Sequence, residues 1–229
     1  MPQPGMKPAD FRVAPKRPDC ADLVSRFVSL GINCELGLVQ RHCEAEPLGL
    51  LRFSRTPMAN LIDALDCGFE GIGDPDLLDF RVVQGGEYMA THRRFGFDFH
   101  TQMKSPKVSE AEVRQKISRH FRYLAGMLID DLTVGEKTFV YRPRKPETPQ
   151  EDAYQLIASL RRYGPSTLLW AAHAEAPEQA GTAEWLWPGE LMAGYLPHYS
   201  PLGYAANAAF DAWLDICRHA AALRDRQSA

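Results

Sequence analysis

No apolar run in the 229-residue sequence approaches the roughly 18 residues that a bilayer-spanning helix needs, so no transmembrane segment is expected. Neither sign of charge dominates: Lys plus Arg is 26 and Asp plus Glu is 29, a formal net charge of −3. That balance argues against a chain that coats nucleic acid or an anionic membrane through bulk charge, while leaving room for a local basic patch. Cysteine is sparse. The five, Cys20, Cys34, Cys43, Cys67 and Cys217, form an odd set with no Cys-x-x-Cys pair, which does not suit a disulfide framework. The nearest approach to a zinc signature is His42-Cys43 with Cys34. Adjacent residues seldom put both side chains on one ion and no second pair follows, so no metal and no cofactor are expected. A Walker Gly-Lys-Ser/Thr is missing, and so is a Gly-x-Ser-x-Gly elbow.

Residues 1–19 are Pro-rich and polar and lack an apolar leader core, so they read as a loose arm on a soluble, cytoplasmic chain. Apolar residues make up 45% and charged residues 24% of the sequence, an ordinary globular composition, and compact sequence begins at about Cys20. Phe27-Val28-Ser29-Leu30 suits a buried strand ending at Gly31. Asn33 can cap a helix in which Glu35 occupies the first turn and Leu36, Val39 and Cys43 recur at helical spacing. Thr56-Pro57 signals a second helix with an apolar stripe of Leu61, Ile62 and Leu65 and a terminal Gly68.

Short strand-like pieces then fill residues 79–100, with Gly85-Gly86 placed to turn a hairpin. Ser109 to Glu112 is a capping box opening a helix whose stripe is Val113, Ile117, Phe121, Leu124 and Leu128. Thr138 to Tyr141 reads as a strand. Thr148-Pro149-Gln150-Glu151 opens a helix with Tyr154, Ile157 and Leu160 facing inward, and Thr167 to Trp170 reads as another strand. Residues 174–206 read as irregular. A terminal helix carries Phe210, Trp213, Leu214 and Cys217. Strands alternating with helices predict an α/β fold: one layered domain over residues 20–229, its central sheet flanked by helices, with a small hairpin region around residues 79–100.

Cys34 draws attention through its setting. It follows a strand and a glycine turn, at the expected first position of a helix, where free N–H groups and the helix dipole favour a thiolate and could hold an oxyanion. Its other reading is a buried thiol filling the strand–helix junction. His100 is the candidate base, because Asp98 and His100 project from one face of an alternating strand while Phe95, Phe97 and Phe99 share the other. His92, beside Arg93 and Arg94, reads as a solvated turn. A basic cluster from Arg93 to Arg122 reads either as a solvated face or as a contact for phosphate or acidic sugar. Trp170, Trp185, Trp187, Tyr195, Tyr199 and Tyr204 read either as the lining of a ligand pocket or as fasteners of an irregular segment. The glycine turn from Gly31 to Gly37 is similar to the cofactor loop of S-adenosylmethionine-dependent methyltransferases, though with fewer glycines.

Val28-Ser29-Leu30-Gly31-Ile32-Asn33-Cys34-Glu35 resembles the opening motif of a bacterial family of unknown function described as papain-like cysteine peptidases. The likeness continues through Leu50-Leu51-Arg52-Phe53, Pro57, Gly96-Phe97-Asp98-Phe99-His100, an Arg-rich helix and the strand at Phe139-Val140, roughly residues 27–142. It implies a Cys–His pair on an α/β scaffold, with Cys34 as nucleophile and His100 as base. It also implies a peptide, acyl or glycan substrate, since such proteins resemble companions of surface-polysaccharide genes. Where the family pattern commonly has Phe-Asp-Trp after the proline, this chain has Met58-Ala59-Asn60. The resulting expectation is a hydrolase or acyl transferase in which Asp98 orients His100 and Asn33, Glu35, Arg52, Arg93, Arg94 and Arg119 contact substrate. A non-catalytic binder of glycan or nucleotide-sugar is the alternative from another class, and a methyltransferase is a third.

Overall fold

The computed structural model describes residues 16–32, 34–143, 150–197 and 209–227. In chain order, a turn of 3₁₀ helix at Pro18–Cys20 leads into α1 (Ala21–Ser25), β1 (Phe27–Ser29) and α2 (Glu35–His42). After these come β2 (Ser54–Arg55), α3 (Met58–Asp66), a second 3₁₀ turn at Pro75–Leu77, β3 (Leu78–Val82), β4 (Glu87–His92) and β5 (Phe97–Lys104). The remaining elements are α4 (Glu110–Val134), β6 (Thr138–Tyr141), α5 (Gln150–Arg161), β7 (Thr167–His173), β8 (Ala183–Trp187), β9 (Leu191–Leu196) and α6 (Phe210–Gln227).

Two sheets result. One has the order β1-β6-β7-β9-β8, with β1, β6, β7 and β9 parallel and β8 antiparallel at its edge; the other is antiparallel, in the order β2-β5-β4-β3. Alternation along the parallel strands divides the core between two faces. Phe139, Tyr141, Leu168, Trp170 and Leu191 join a cluster that runs through α3, α4 and α5 to Phe97 and Phe99 of the second sheet. Val140, Leu169, Ala171 and Met192 pack on the opposite face with Leu36, Trp213 and Cys217. The α/β expectation holds, and the small hairpin region proves to be a sheet of four strands that reaches back to Ser54 and on to Lys104.

Several local signals act as their chemistry requires. Ser109 accepts from the Glu112 N–H while the Glu112 carboxylate receives the Ser109 N–H, and Gly135, in the left-handed region at φ 74°, ends the same helix. Gly85 and Gly86, at φ 86° and 78°, turn the β3–β4 hairpin. Other expectations need correction. Pro57 itself caps α3, because the Thr56 hydroxyl is engaged elsewhere. Residues 183–196 are not irregular but form the β8–β9 hairpin. Gly194 weakens the strand signal of β9 yet is required there, since a Cβ would lie 2.6 Å from Ile216 Cγ2 of α6. Tyr154 is on the surface, edge-on to Trp187, whereas Ile157 and Leu160 face the core as expected, joined by Ala153 and Leu156. Thr148 and Pro149 lie outside the described residues.

Candidate active site at the end of β1

The chain leaves β1 through two successive left-handed residues, Gly31 at φ 87° and Ile32 at φ 71°. A β-branched residue seldom adopts that conformation, and here Thr56 holds it. The Thr56 hydroxyl donates to Leu30 O at 2.7 Å and accepts from Ile32 N at 3.0 Å. A Cβ on Gly31 would lie 2.0 Å from Thr56 Oγ1, so only glycine lets the turn close on that residue. The bend delivers Cys34 to the N-cap of α2, with φ −96° and ψ 4° and its carbonyl accepting from Leu38 N at 2.9 Å. Cys34 therefore lies one residue outside the helical position expected of it. Asn33, read as the cap and as a substrate contact, lies outside the described residues.

The Cys34 thiol is half-buried. Burial, and then the negative charge of Glu87, push its pKa above the ordinary thiol value. The direction is opposite to that of the resting thiolate expected at a helix start, and its causes are desolvation and then a nearby carboxylate. One turn further on, Gly37 packs so closely on the Phe53 ring that a Cβ would lie 2.6 Å from Phe53 Cε1. Phe53 O in turn accepts from His100 N at 3.2 Å. The N-terminal turn of α2 and the His100 end of β5 are thus joined through one residue, Phe53.

His100 is exposed, and its Nδ1 lies 3.2 Å from Glu87 Oε2. Glu87 Oε1 also accepts from Gln102 N at 2.8 Å. The ladder is irregular at this point. Met89 pairs with His100 but Glu87 with Lys104, and Gln102 sits at φ 58°. Extra β5 residues bulge out here and aim Glu87 back at the imidazole. No strand alternation announces such a contact, and sequence reading missed it.

Asp98 shares a face with His100 as expected but serves other partners. Thr91 Oγ1 donates to it at 2.6 Å, Arg55 Nε at 3.0 Å, and Arg81 lies at 3.4 Å. Burial pushes this carboxyl up, but those partners together hold it below its usual range. Glu87, rather than Asp98, is the carboxylate on His100.

The expected substrate contacts are not brought together. Glu35 is buried against Arg142 and accepts from Trp213 Nε1 at 3.0 Å, a pairing that anchors the start of α2 to the ends of β6 and α6. Arg52 is 7% exposed. It donates to Gly37 O and Ala45 O at 3.1 Å and meets Glu46 at 2.6 Å, so it clamps α2 to the loop behind it. Arg93 and Arg94 occupy the turn at the other end of the β4–β5 hairpin, four residues or roughly 13 Å of strand from His100. They pair with Asp79 and Glu70. Arg119 projects from α4.

His92 is not a solvated turn. It is fully buried and stacked on Phe95, with Nε2 bonded to Gly71 O at 3.0 Å and Nδ1 accepting from Phe95 N. Among the described residues no His, Cys, Asp or Glu cluster could hold a metal ion. Gly31 and Gly37 are both filled by protein, against Thr56 and Phe53. Trp170 is buried against Tyr141 and the Tyr195 hydroxyl donates to Glu184; Tyr199 and Tyr204 lie outside the described residues. No helix among the described residues is long and apolar enough to cross a membrane. No protein-family model, curated protein or solved structure gives a significant match to this chain.

Proposed function

We propose that the chain is a cysteine-dependent hydrolase or acyl transferase in which Cys34 is the nucleophile, His100 the base and Glu87 the group that orients His100. The observation that carries this reading is the placement of Glu87. Its carboxylate bonds His100 and its charge reaches Cys34, at the carboxyl end of a parallel strand where α/β sheets bind ligands. A thiol that rests protonated gives its proton to His100 as the sulfur attacks the acyl carbon. The tetrahedral oxyanion lies against N–H groups at the start of α2. Its collapse breaks the bond to the leaving group, which takes the proton back from His100; water or an acceptor hydroxyl then releases the acyl group. The likeness to papain-like cysteine peptidases supports the same roles and leaves peptide, acyl and glycan esters as substrate classes. A cytoplasmic place of action accords with free thiols throughout.

The test is mass spectrometry after incubation with p-nitrophenyl acetate and with a chloroacetamide probe. The expected result is an adduct on Cys34 in wild type, lost in Cys34→Ser and slowed by about 10²-fold or more in His100→Ala. Labelling spread evenly over the other cysteines, or indifferent to His100, would refute the assignment. The methyltransferase alternative gains no support from Gly31 and Gly37, whose open sides are occupied by Thr56 and Phe53.

A further inference from the structure

Away from Cys34, α4 and the loop over residues 68–75 border two adjoining open recesses of about 450 and 530 Å³ that share Pro75 and Arg122. The basic residues around them divide into two groups. Arg93, Arg94 and Arg114 each meet a carboxylate, Asp79, Glu70 and Glu110 respectively. Arg119 and Arg122 meet none among the described residues. Arg122 is also held in place. Gly73 lies so close that a Cβ there would be 2.2 Å from Arg122 Cγ, and Arg122 Nε donates to Ser118 O at 3.4 Å. The stem is gripped and Nε occupied, while both terminal nitrogens have no partner among the described residues. The carboxylates at the rim are engaged: Glu110 with Arg114, and Asp74 with the Asp76 N–H.

The second recess has a different character, lined by Phe69, Gly71, Ile72, Ala125, Gly126 and Ile129. Arg119, Arg122, Gly126 and Ile129 fall on one stripe of α4 at helical spacing. Gly126 has no packing reason to be glycine, because a Cβ built on it would meet nothing within 4 Å. A glycine inside a helix costs about 1 kcal/mol relative to alanine, and here its missing side chain keeps the recess open. We infer that this groove binds a soluble phosphoester, its phosphoryl oxygens on Arg119 and Arg122 and its planar or apolar body in the recess over Gly126. Guanidinium forks suit phosphate oxygens, and with Glu110 paired to Arg114 the two arginines outweigh the single charge of Asp74 at the rim.

Titration calorimetry with uridine diphosphate and with inorganic pyrophosphate tests this on the full chain. Both probes are expected to bind saturably below about 1 mM, the nucleotide at least about tenfold tighter. Arg119→Ala and Arg122→Met, the latter keeping the stem against Gly73, should each weaken both probes by about tenfold or more. Gly126→Leu, which fills open space and favours the helix, should remove the advantage of the nucleotide and leave pyrophosphate binding intact. Cys34→Ser should change neither. Absence of binding, binding indifferent to Arg122→Met, equal affinity for the two probes, or loss of binding in Cys34→Ser would each overturn the proposal. Co-sedimentation with phosphatidic acid vesicles that Arg122→Met abolishes would assign the groove to a lipid headgroup and overturn the soluble ligand.

Discussion

Oε2 of Glu87 lies 3.2 Å from Nδ1 of His100, across a bulge in the β4–β5 ladder, and the same carboxylate raises the pKa of Cys34. One charge therefore acts in two directions: it bonds the His100 imidazole and, second to burial, it adds to the upward shift of the Cys34 thiol. Glu87→Gln separates these effects. Iodoacetamide labelling of wild-type Cys34 should give an apparent pKa above the ordinary 9.0, and the variant should shift it downward. Acyl transfer should fall by roughly tenfold or more as the imidazole loses its partner. A thiol that becomes more acidic while turnover drops is the expected signature; two readouts that move together would leave Glu87 without the role given it.

His92 makes stability depend on mildly acidic pH. Burial lowers its pKa below the ordinary 6.5 despite the Gly71 carbonyl, so the folded chain binds fewer protons than the unfolded chain between the lowered value and 6.5. Stability is full above 6.5 and declines as the pH falls through that window. His42, stacked on Phe210, is shifted the same way by burial. Urea midpoints measured from pH 7.5 to 5 should fall in wild type, and less steeply in His92→Gln even though that variant starts lower.

Gly31 and Gly85 have nearly the same φ, 87° and 86°, and opposite surroundings. A Cβ on Gly31 meets Thr56 Oγ1 at 2.0 Å, whereas one on Gly85 meets nothing within 4 Å. Gly85→Ala should cost about 1 kcal/mol from backbone strain alone. Gly31→Ala should cost about 3 kcal/mol or more, because the turn must also move away from Thr56. Equal losses in chemical denaturation would mean that Thr56 does not grip the bend.

Arg52 fastens α2 through three backbone carbonyls, Gly37, Ala45 and Pro47, as well as Glu46. Arg52→Lys should destabilise by about 2–4 kcal/mol, since a single ammonium cannot span that fan of acceptors. A stable variant with altered turnover would instead restore the substrate role read from the sequence.

What was legible in the sequence was local. The Ser109 capping box, the Gly85-Gly86 turn and the strand, glycine turn and helix around Cys34 each depend on residues a few positions apart. What was not legible depends on segments that meet only in the fold. His92 looks solvated beside two arginines until Gly71 and Phe95 close over it. Glu87 reaches His100 only through a ladder irregularity, and β9 looks too rich in small residues for a strand until Ile216 of α6 fills the space over Gly194. Asp98 shows the boundary between the two. Its face was readable, but its partners, Arg55 and Arg81, were not.

Glu35, Arg142 and Trp213 come from widely separated stretches of sequence and meet beneath the first turn of α2. A chain emerging from the ribosome presents Cys34 before Trp213 and cannot complete that support until Trp213 has followed. Nascent chains arrested before that point should therefore hold a thiol without its foundation, and the capacity to react should arise only once Trp213 has emerged.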